Sequence, residues 1–242
     1  MYSYWKLILC AAILCLSGTA QSTNKQLVFN VTGQPPLNND SQNGFMDEVA
    51  RESLNRIGYQ LLINRQPAER GLRSANEGVI DAEMSRVKGI DKVYKNLIRV
   101  PEKIMDWEFV VFSDKKTNLD QGWQNLAKKN LAFITGWKIL ENNVPKSAFI
   151  MKTRDSNQLF QLLKRARTEH VIYERWGGNK LIRELNLNNV RMASPPLAVK
   201  EMYIYLHKRH RKVVPLLSNA LKQMKTDGTY SALAQKHLGA FQ

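Results

Sequence analysis

The spacing of apolar residues alternates along the chain between the two-residue step of a strand and the three-to-four-residue step of a helix. Gln26 to Val31 reads as a short strand, broken by Gly33-Gln34-Pro35-Pro36 and followed by a polar loop from Asn38 to Gly44. Met46, Val49, Ala50, Leu54 and Ile57 then share one helical face, with Gly58 placed to stop the helix. Tyr59 to Ile63 predicts a second strand. Pro67 can open a helix as its first residue, Gly78 can close it, and Ile80 to Met84 predicts a third strand. Residues 86–107 are less regular and lead to a strong strand from Glu108 to Phe112. The pattern then restarts. Strands are predicted at Leu131 to Ile134, ended by Thr135-Gly136, and at Phe149 to Lys152. A helix through Leu159, Leu162, Leu163 and Ala166 leads to a strand from Val171 to Tyr173. Gly177-Gly178 precedes a short helix through Leu181, Ile182 and Leu185. Met202 to Leu206 is a strand, and Val213, Val214, Leu217, Ala220, Leu221 and Met224 mark an amphipathic helix stopped at Asp227-Gly228. Tyr230, Leu233, Ala234 and Leu238 mark the last helix. This alternation predicts an α/β fold with largely parallel sheets, and periodicity alone leaves open one sheet or two smaller ones.

The first residues follow a different rule. Lys6, the apolar run Leu7 to Leu16 and the small residues of Ser17-Gly18-Thr19-Ala20 have the layout of a secretory signal peptide, residues 1–20, removed on export. The run is shorter than the ~20 residues a membrane-spanning helix needs. A retained anchor and a lipid on Cys15 are the alternatives, the second disfavoured by the bulk of Leu14. Both cysteines, Cys10 and Cys15, lie in this segment, so residues 21–242 offer no disulfide, thiolate metal site or Cys nucleophile. The expected location is the periplasm.

Charge narrows the partners. The chain carries a net +15, and without Lys6 the balance over residues 21–242 is 35 − 21 = +14. The basic residues are spread along the chain. The tightest run, His207 to Lys212, reads as a solvated turn before a helix. Nucleic acid is therefore not expected as a partner, while an anionic ligand or lipid surface fits the charge. The chain has no His-Glu-x-x-His, Gly-x-Ser-x-Gly, Gly-x-Gly-x-x-Gly or Gly-x-x-x-x-Gly-Lys motif. Its four histidines, His170, His207, His210 and His237, show no metal-like spacing, so no cofactor or metal is expected.

Five motifs occur in a telling order. Gln34-Pro35-Pro36 follows the first strand. Gly44-Phe45-Met46-Asp47-Glu48-Val49-Ala50 opens the first helix, and Ala75-Asn76-Glu77-Gly78-Val79-Ile80-Asp81 leads into the third strand. Gly136-Trp137-Lys138 follows a later strand, and Leu221 to Tyr230 ends in Asp-Gly-Thr-Tyr. In this order the chain resembles the bacterial extracellular solute-binding proteins of family 3, the amino-acid-binding type. The resemblance implies the type 2 periplasmic-binding-protein fold, two α/β lobes joined by two hinge crossings. These would lie near Met105 to Glu108 and Val199 to Tyr203. Lobe 1 would then be 21–107 plus 201–242 and lobe 2 108–200, closing on a ligand between them. The chain departs from the family where amino-acid binders carry a Thr-rich turn and a carboxylate-gripping Arg. Here Ser85-Arg86-Val87-Lys88-Gly89 stands in the turn and Val93 near the position of the Arg, which puts an α-amino acid ligand in doubt.

The candidate ligand residues follow from strand ends, where ligands bind in open α/β sheets. Arg86 heads them, its planar fork suited to a carboxylate or phosphate; the alternative is a surface salt bridge. Gly136 and Trp137 precede a predicted helix whose backbone N–H groups could face an anion, with the indole over an apolar part; the alternative is packing on Ile139. Tyr173 and Glu174 end another strand, and Glu174 stands where many family members hold the ligand ammonium. An ion pair with Arg175 is the alternative. Thr32 and Gln34 offer polar contacts or a plain turn. Arg70 offers a ligand contact or a bridge to Asp81 or Glu69.

The resulting expectation is a monomeric binding protein for a small polar solute, amino-acid-like or anionic, partnered by a membrane permease. A membrane sensor as partner is the alternative. A cleft dehydratase using Glu174 as its acid is the enzyme alternative.

Overall fold

Strand β1 (Lys25–Asn30) pairs in parallel with β2 (Tyr59–Ile63) on one side and with β3 (Ala82–Val87) on the other. The computed structural model describes residues 25–241. The secretory signal read at residues 1–20, with Cys10 and Cys15, lies outside the described residues. Between β1 and β2 runs helix α1 (Phe45–Asn55), whose start is set by one buried carboxylate. Asp47 accepts the N–H of Gly44 at 3.0 Å and of Asn39 at 3.1 Å, and the Asn38 amide at 2.6 Å. That satisfies donors a helix start leaves unpaired. Helix α2 (Ala68–Asn76) joins β2 to β3 with Pro67 as its cap.

Strand β4 (Leu97–Arg99) precedes the long β5 (Met105–Ser113). The next stretch is β6 (Asn130–Ile134), α3 (Lys138–Asn143), β7 (Phe149–Thr153), α4 (Ser156–Lys164), β8 (His170–Glu174), α5 (Arg175–Glu184) and β9 (Arg191–Met192). The chain returns through the long β10 (Ala198–His207) and ends in α6 (Val213–Thr226) and α7 (Thr229–Leu238). Pro215 sits in the first turn of α6, where its missing N–H leaves no bond unmade.

The strands run in the order β2-β1-β3-β10-β5-β8-β6-β7, with β4 also on β10 and β9 on β5. The two long strands make this one path. Met105 to Phe109 of β5 pairs antiparallel with Ala198 to Met202 of β10. Beyond that ladder β10 continues along β3 and β4, while β5 continues along β8 and β9. Each strand thus belongs to both halves, and the paired stretch joins them.

Each half has its own core. In the first, Leu27, Phe29, Met46, Val49, Leu54, Ile204, Leu206, Leu217 and Leu221 are buried together. In the second, both sheet faces are covered. Val110, Phe112, Val171 and Tyr173 pack on Leu159 and Phe160 of α4 and Leu181 of α5. Phe109, Val111, Phe133 and Ile172 pack on Leu119, Leu126 and Leu140. Burial on both faces accounts for the unbroken apolar runs of β5 and β8.

Three predicted elements shift. The third strand was expected at Ile80 to Met84 but spans Ala82–Val87; Ile80 is buried against Tyr203 and Tyr205 from a turn. The glycine pair expected before a helix lies within α5. A Cβ on Gly178 would stand 2.1 Å from the Phe112 ring, so the glycine lets α5 sit close on β5. The basic run is not simply solvated: Arg209 and His210 pair with Asp81, and Val28 N–H adds a 2.8 Å bond. Burial pushes the Asp81 carboxyl up, but these three partners together hold it below its usual range.

Candidate ligand cleft

Three parallel strands of the first half end at one place. Val31 and Thr32 follow β1, Arg65 and Gln66 lie just past β2, and Ser85 and Arg86 lie at the end of β3, next to its final residue Val87. They line a cavity of ≈ 630 Å³ whose other walls are Trp107 and Phe109 of β5, Met202 of β10, and Gly136, Trp137 and Ile139 from the β6–α3 turn. Convergence follows from parallel pairing, which places strand ends of one sense side by side. The cavity lies beside the β5–β10 ladder, where the two halves meet.

A bulge sets the direction of Arg86. On the β3–β10 ladder, Glu83 pairs with Tyr205 and Arg86 with Tyr203, so Met84 and Ser85 oppose Ile204 alone. Ser85 has φ +65°. Residues three apart on a regular strand face opposite sides; one extra residue brings Glu83 and Arg86 to the same side. They form an ion pair there, with Glu83 fully buried, and Arg86 Nη2 also donates to the Ala68 carbonyl at 3.3 Å.

Glu83 anchors more than Arg86. The Asn30 amide donates to both of its oxygens at 3.0 Å, and Asn30 Oδ1 accepts the Gln66 N–H at 2.7 Å. Burial pushes the Glu83 carboxyl above its usual range, against the pull of Arg86 and Asn30. Helix α2 must pass close over this network. A Cβ on Gly71 would lie 1.8 Å from Asn30 Nδ2 and 2.8 Å from Glu83 Oε2.

Arg65 forms the second cationic wall. Its Nη1 donates to the Gly33 carbonyl at 3.2 Å, and its Nε lies 3.7 Å from the exposed Asp40 carboxylate. Arg65 Nε and Nη2, Arg86 Nε and Trp107 Nε1 are buried and make no hydrogen bond.

The opposite wall is aromatic. Trp137 lies 5.7 Å edge-on to Phe109, 6.4 Å from Trp107, and stacks on Tyr173 at 5.0 Å with 19° between the planes. Gly136 makes the turn that presents Trp137, with φ +85°, a backbone state suited to glycine.

The expected site residues therefore divide. Thr32, Gln34, Arg86, Gly136 and Trp137 come together on the cavity; Arg70, Tyr173 and Glu174 do not line it. Arg70 is exposed on α2, and Glu69 pairs with Arg73 instead. Tyr173 is buried beneath Trp137 as its support. Glu174 is a helix cap. It is buried and accepts the N–H of Trp176 at 2.9 Å and of Gly177 at 2.5 Å, because β8 passes into α5 without a loop. Burial pushes its carboxyl up to about 7, opposed by those two N–H bonds. Arg175 pairs not with Glu174 but with Glu108, at 3.2 Å. The helix expected to offer N–H groups after Trp137 is six residues long, and the Gly136 N–H donates to Glu141 at 3.1 Å. Val93 is 75% exposed and away from the cavity.

Arg65 and Gln66 were not among the sequence candidates. Both follow β2, and the same strand-end argument that selected Arg86 applies to them. Among the described residues, no group of three or more His, Cys, Asp or Glu could hold a metal ion, and no helix is long and apolar enough to cross a membrane.

The fold is the two-lobed α/β fold of periplasmic binding proteins. The GluR0 ligand-binding core in complex with L-glutamate superposes with a TM-score of 0.78 at 14% identity, covering 89% of this chain and 99% of that one. A substrate-binding protein of an amino acid ABC transporter gives 0.68 at 14%, covering 88% and 99%. A histidine kinase sensor domain with similarity to periplasmic binding proteins gives 0.69 at 15%, covering 89% and 96%. An uncharacterized protein of Shewanella oneidensis is 22% identical over 206 residues, 80% of this chain and 76% of its own length. No family model matches the chain.

Proposed function

We propose that this chain is an exported solute-binding protein that captures a small polar solute between its two lobes and presents it to a membrane permease. The observation that carries this reading is the cavity itself, with two guanidinium groups on one wall and an aromatic cluster on the other, beside β5 and β10, the two long strands that run through both halves. Binding is then the work of Thr32, Gln34, Arg65, Gln66 and Arg86 from lobe 1 and Gly136 and Trp137 from lobe 2. The lobes follow the division 21–107 plus 201–242 and 108–200, and the β5–β10 ladder is the hinge that lets them close. The signal peptide takes the protein to the periplasm, where it works as a monomer and acts on its solute without chemistry. A membrane sensor is the second partner the reading admits, supported by the likeness to a kinase sensor domain.

The test is a thermal-shift screen of residues 21–242 against amino acids, organic acids, polyamines, sugars and small phosphates, followed by titration of tryptophan fluorescence. A ligand selective for the folded state raises the melting temperature, by about 2.7 kcal/mol of stability at one hundred times Kd. The expected hit is saturable and is lost in Trp137→Ala. A hit indifferent to Trp137 and Arg65 moves the site elsewhere; the absence of any hit overturns the reading.

A further inference from the structure

Resting on the solute-binding reading, we infer that the ligand of this cleft is an oxyanion, a carboxylate or phosphate, that carries a flat apolar group and no ammonium. The lining side chains Arg65, Arg86 and Trp107 are rich in donors. Arg65 Nε, Arg65 Nη2, Arg86 Nε and Trp107 Nε1 are all buried without a hydrogen bond, and all four are donors only. Buried donors left unpaired are unfavourable, and these stand just behind the cavity wall, so a ligand that brings acceptors as the lobes close on it gains most here. Two guanidinium forks favour planar or tetrahedral oxyanions over a lone carbonyl.

The same walls oppose a cation. Among the described lining residues the charged ones are Arg65 and Arg86, with no Asp or Glu. The nearby carboxylates are committed elsewhere. Glu83 is fully buried and held by Asn30 and Arg86, Glu174 caps α5, and Asp40 stands in solvent beside Arg65. A ligand ammonium would enter with no counter-charge, and unpaired buried charge is strongly unfavourable. The aromatic wall could attract a cation through its ring faces, but one Trp137 face is already stacked on Tyr173, and the Arg65 guanidinium, whose only carboxylate partner stands in solvent, faces the same cavity. Trp107, Phe109, Trp137, Ile139 and Met202 instead offer a surface for a flat apolar body.

Four probes sharing a phenyl ring test this on the chain of residues 21–242: 3-phenylpropanoate, phenyl phosphate, L-phenylalanine and 2-phenylethylamine, titrated by calorimetry at pH 7. At least one of the two anions is expected to bind, with L-phenylalanine at least tenfold weaker and the amine weaker still. The tighter anion separates a carboxylate ligand from a phosphate one. Arg65→Ala should raise Kd for that anion at least tenfold with little change in melting temperature, because Arg65 makes no fully buried ion pair. Arg65→Lys, which keeps charge but loses the fork, should fall between. Binding of L-phenylalanine or the amine as tight as the anions overturns the inference and leaves the binding role standing. So does a screen in which another solute binds and neither phenyl anion does. A protein that binds nothing in the broad screen loses the role and the inference together.

Discussion

Replacing Arg86 by Met removes the guanidinium while keeping most of the stem, and leaves Glu83 buried with Asn30 as its partner. Taking one partner from a buried ion pair typically destabilises by roughly 3–5 kcal/mol. Here protonation sets a ceiling. From its ordinary value of 4.5, protonating Glu83 at pH 7 takes 2.5 × 1.36, about 3.4 kcal/mol, and at pH 5 only 0.5 × 1.36, about 0.7 kcal/mol. Glu83 already titrates above its unfolded value. Its contribution to stability is therefore greatest below about pH 4.5 and declines as pH rises toward the folded value, and loss of Arg86 carries that decline further. The expected result is a loss of about 2 kcal/mol at pH 7 against less than about 1 at pH 5, read from urea unfolding at both values. Adding Glu83→Gln should remove most of the pH dependence. An equal loss at pH 5 and pH 7 would refute the account of Glu83 as a buried charge held by Arg86.

Two further changes test the surroundings. Gly71→Ala should destabilise by about 1–3 kcal/mol in urea, since its methyl would overlap the Asn30 amide. Glu174→Gln should gain stability relative to the parent as pH rises from about 4.5 to about 7. The buried carboxyl is ionised at a disadvantage over that window, so the relative gain is on the order of 3 kcal/mol; a flat difference would place Glu174 in a more solvated setting.

Most strands and helices were legible because burial imposes their period. Met46, Val49, Ala50 and Leu54 point one way because α1 has one face on the sheet. What escaped the sequence depended on distant neighbours. Ile80 looked like strand because it is apolar, yet it is buried from a turn beside Tyr205. Gly177 and Gly178 looked like a break, yet α5 needs them to approach Glu174 and Phe112. Arg86 was legible as a strand-end cation. Its pairing with Glu83 was not, because it depends on a bulge set by the register of a strand more than a hundred residues away (203 − 86 = 117). Glu174 was assigned to the ligand through resemblance, and the short step from β8 to α5 gives it a cap to fill instead. Arg65 and Gln66, just beyond the end of β2, were not singled out, although the strand-end argument applied to Arg86 reaches them as well.

The return of β10 also dictates an order of assembly. Residues 109–197 are contiguous, so one core can close as soon as that stretch is available. The other core needs Met202, Ile204, Leu206 and the last two helices, the final fifth of the sequence. Until they arrive β3 lacks its neighbour on one side, and the strand that carries Arg86 has an open edge. Such long-range pairing slows folding and leaves unpaired strands open to aggregation. If the chain is exported as proposed, threading it through a membrane from its N-terminus would expose that edge throughout the passage, and the first half would become whole only once β10, α6 and α7 had crossed.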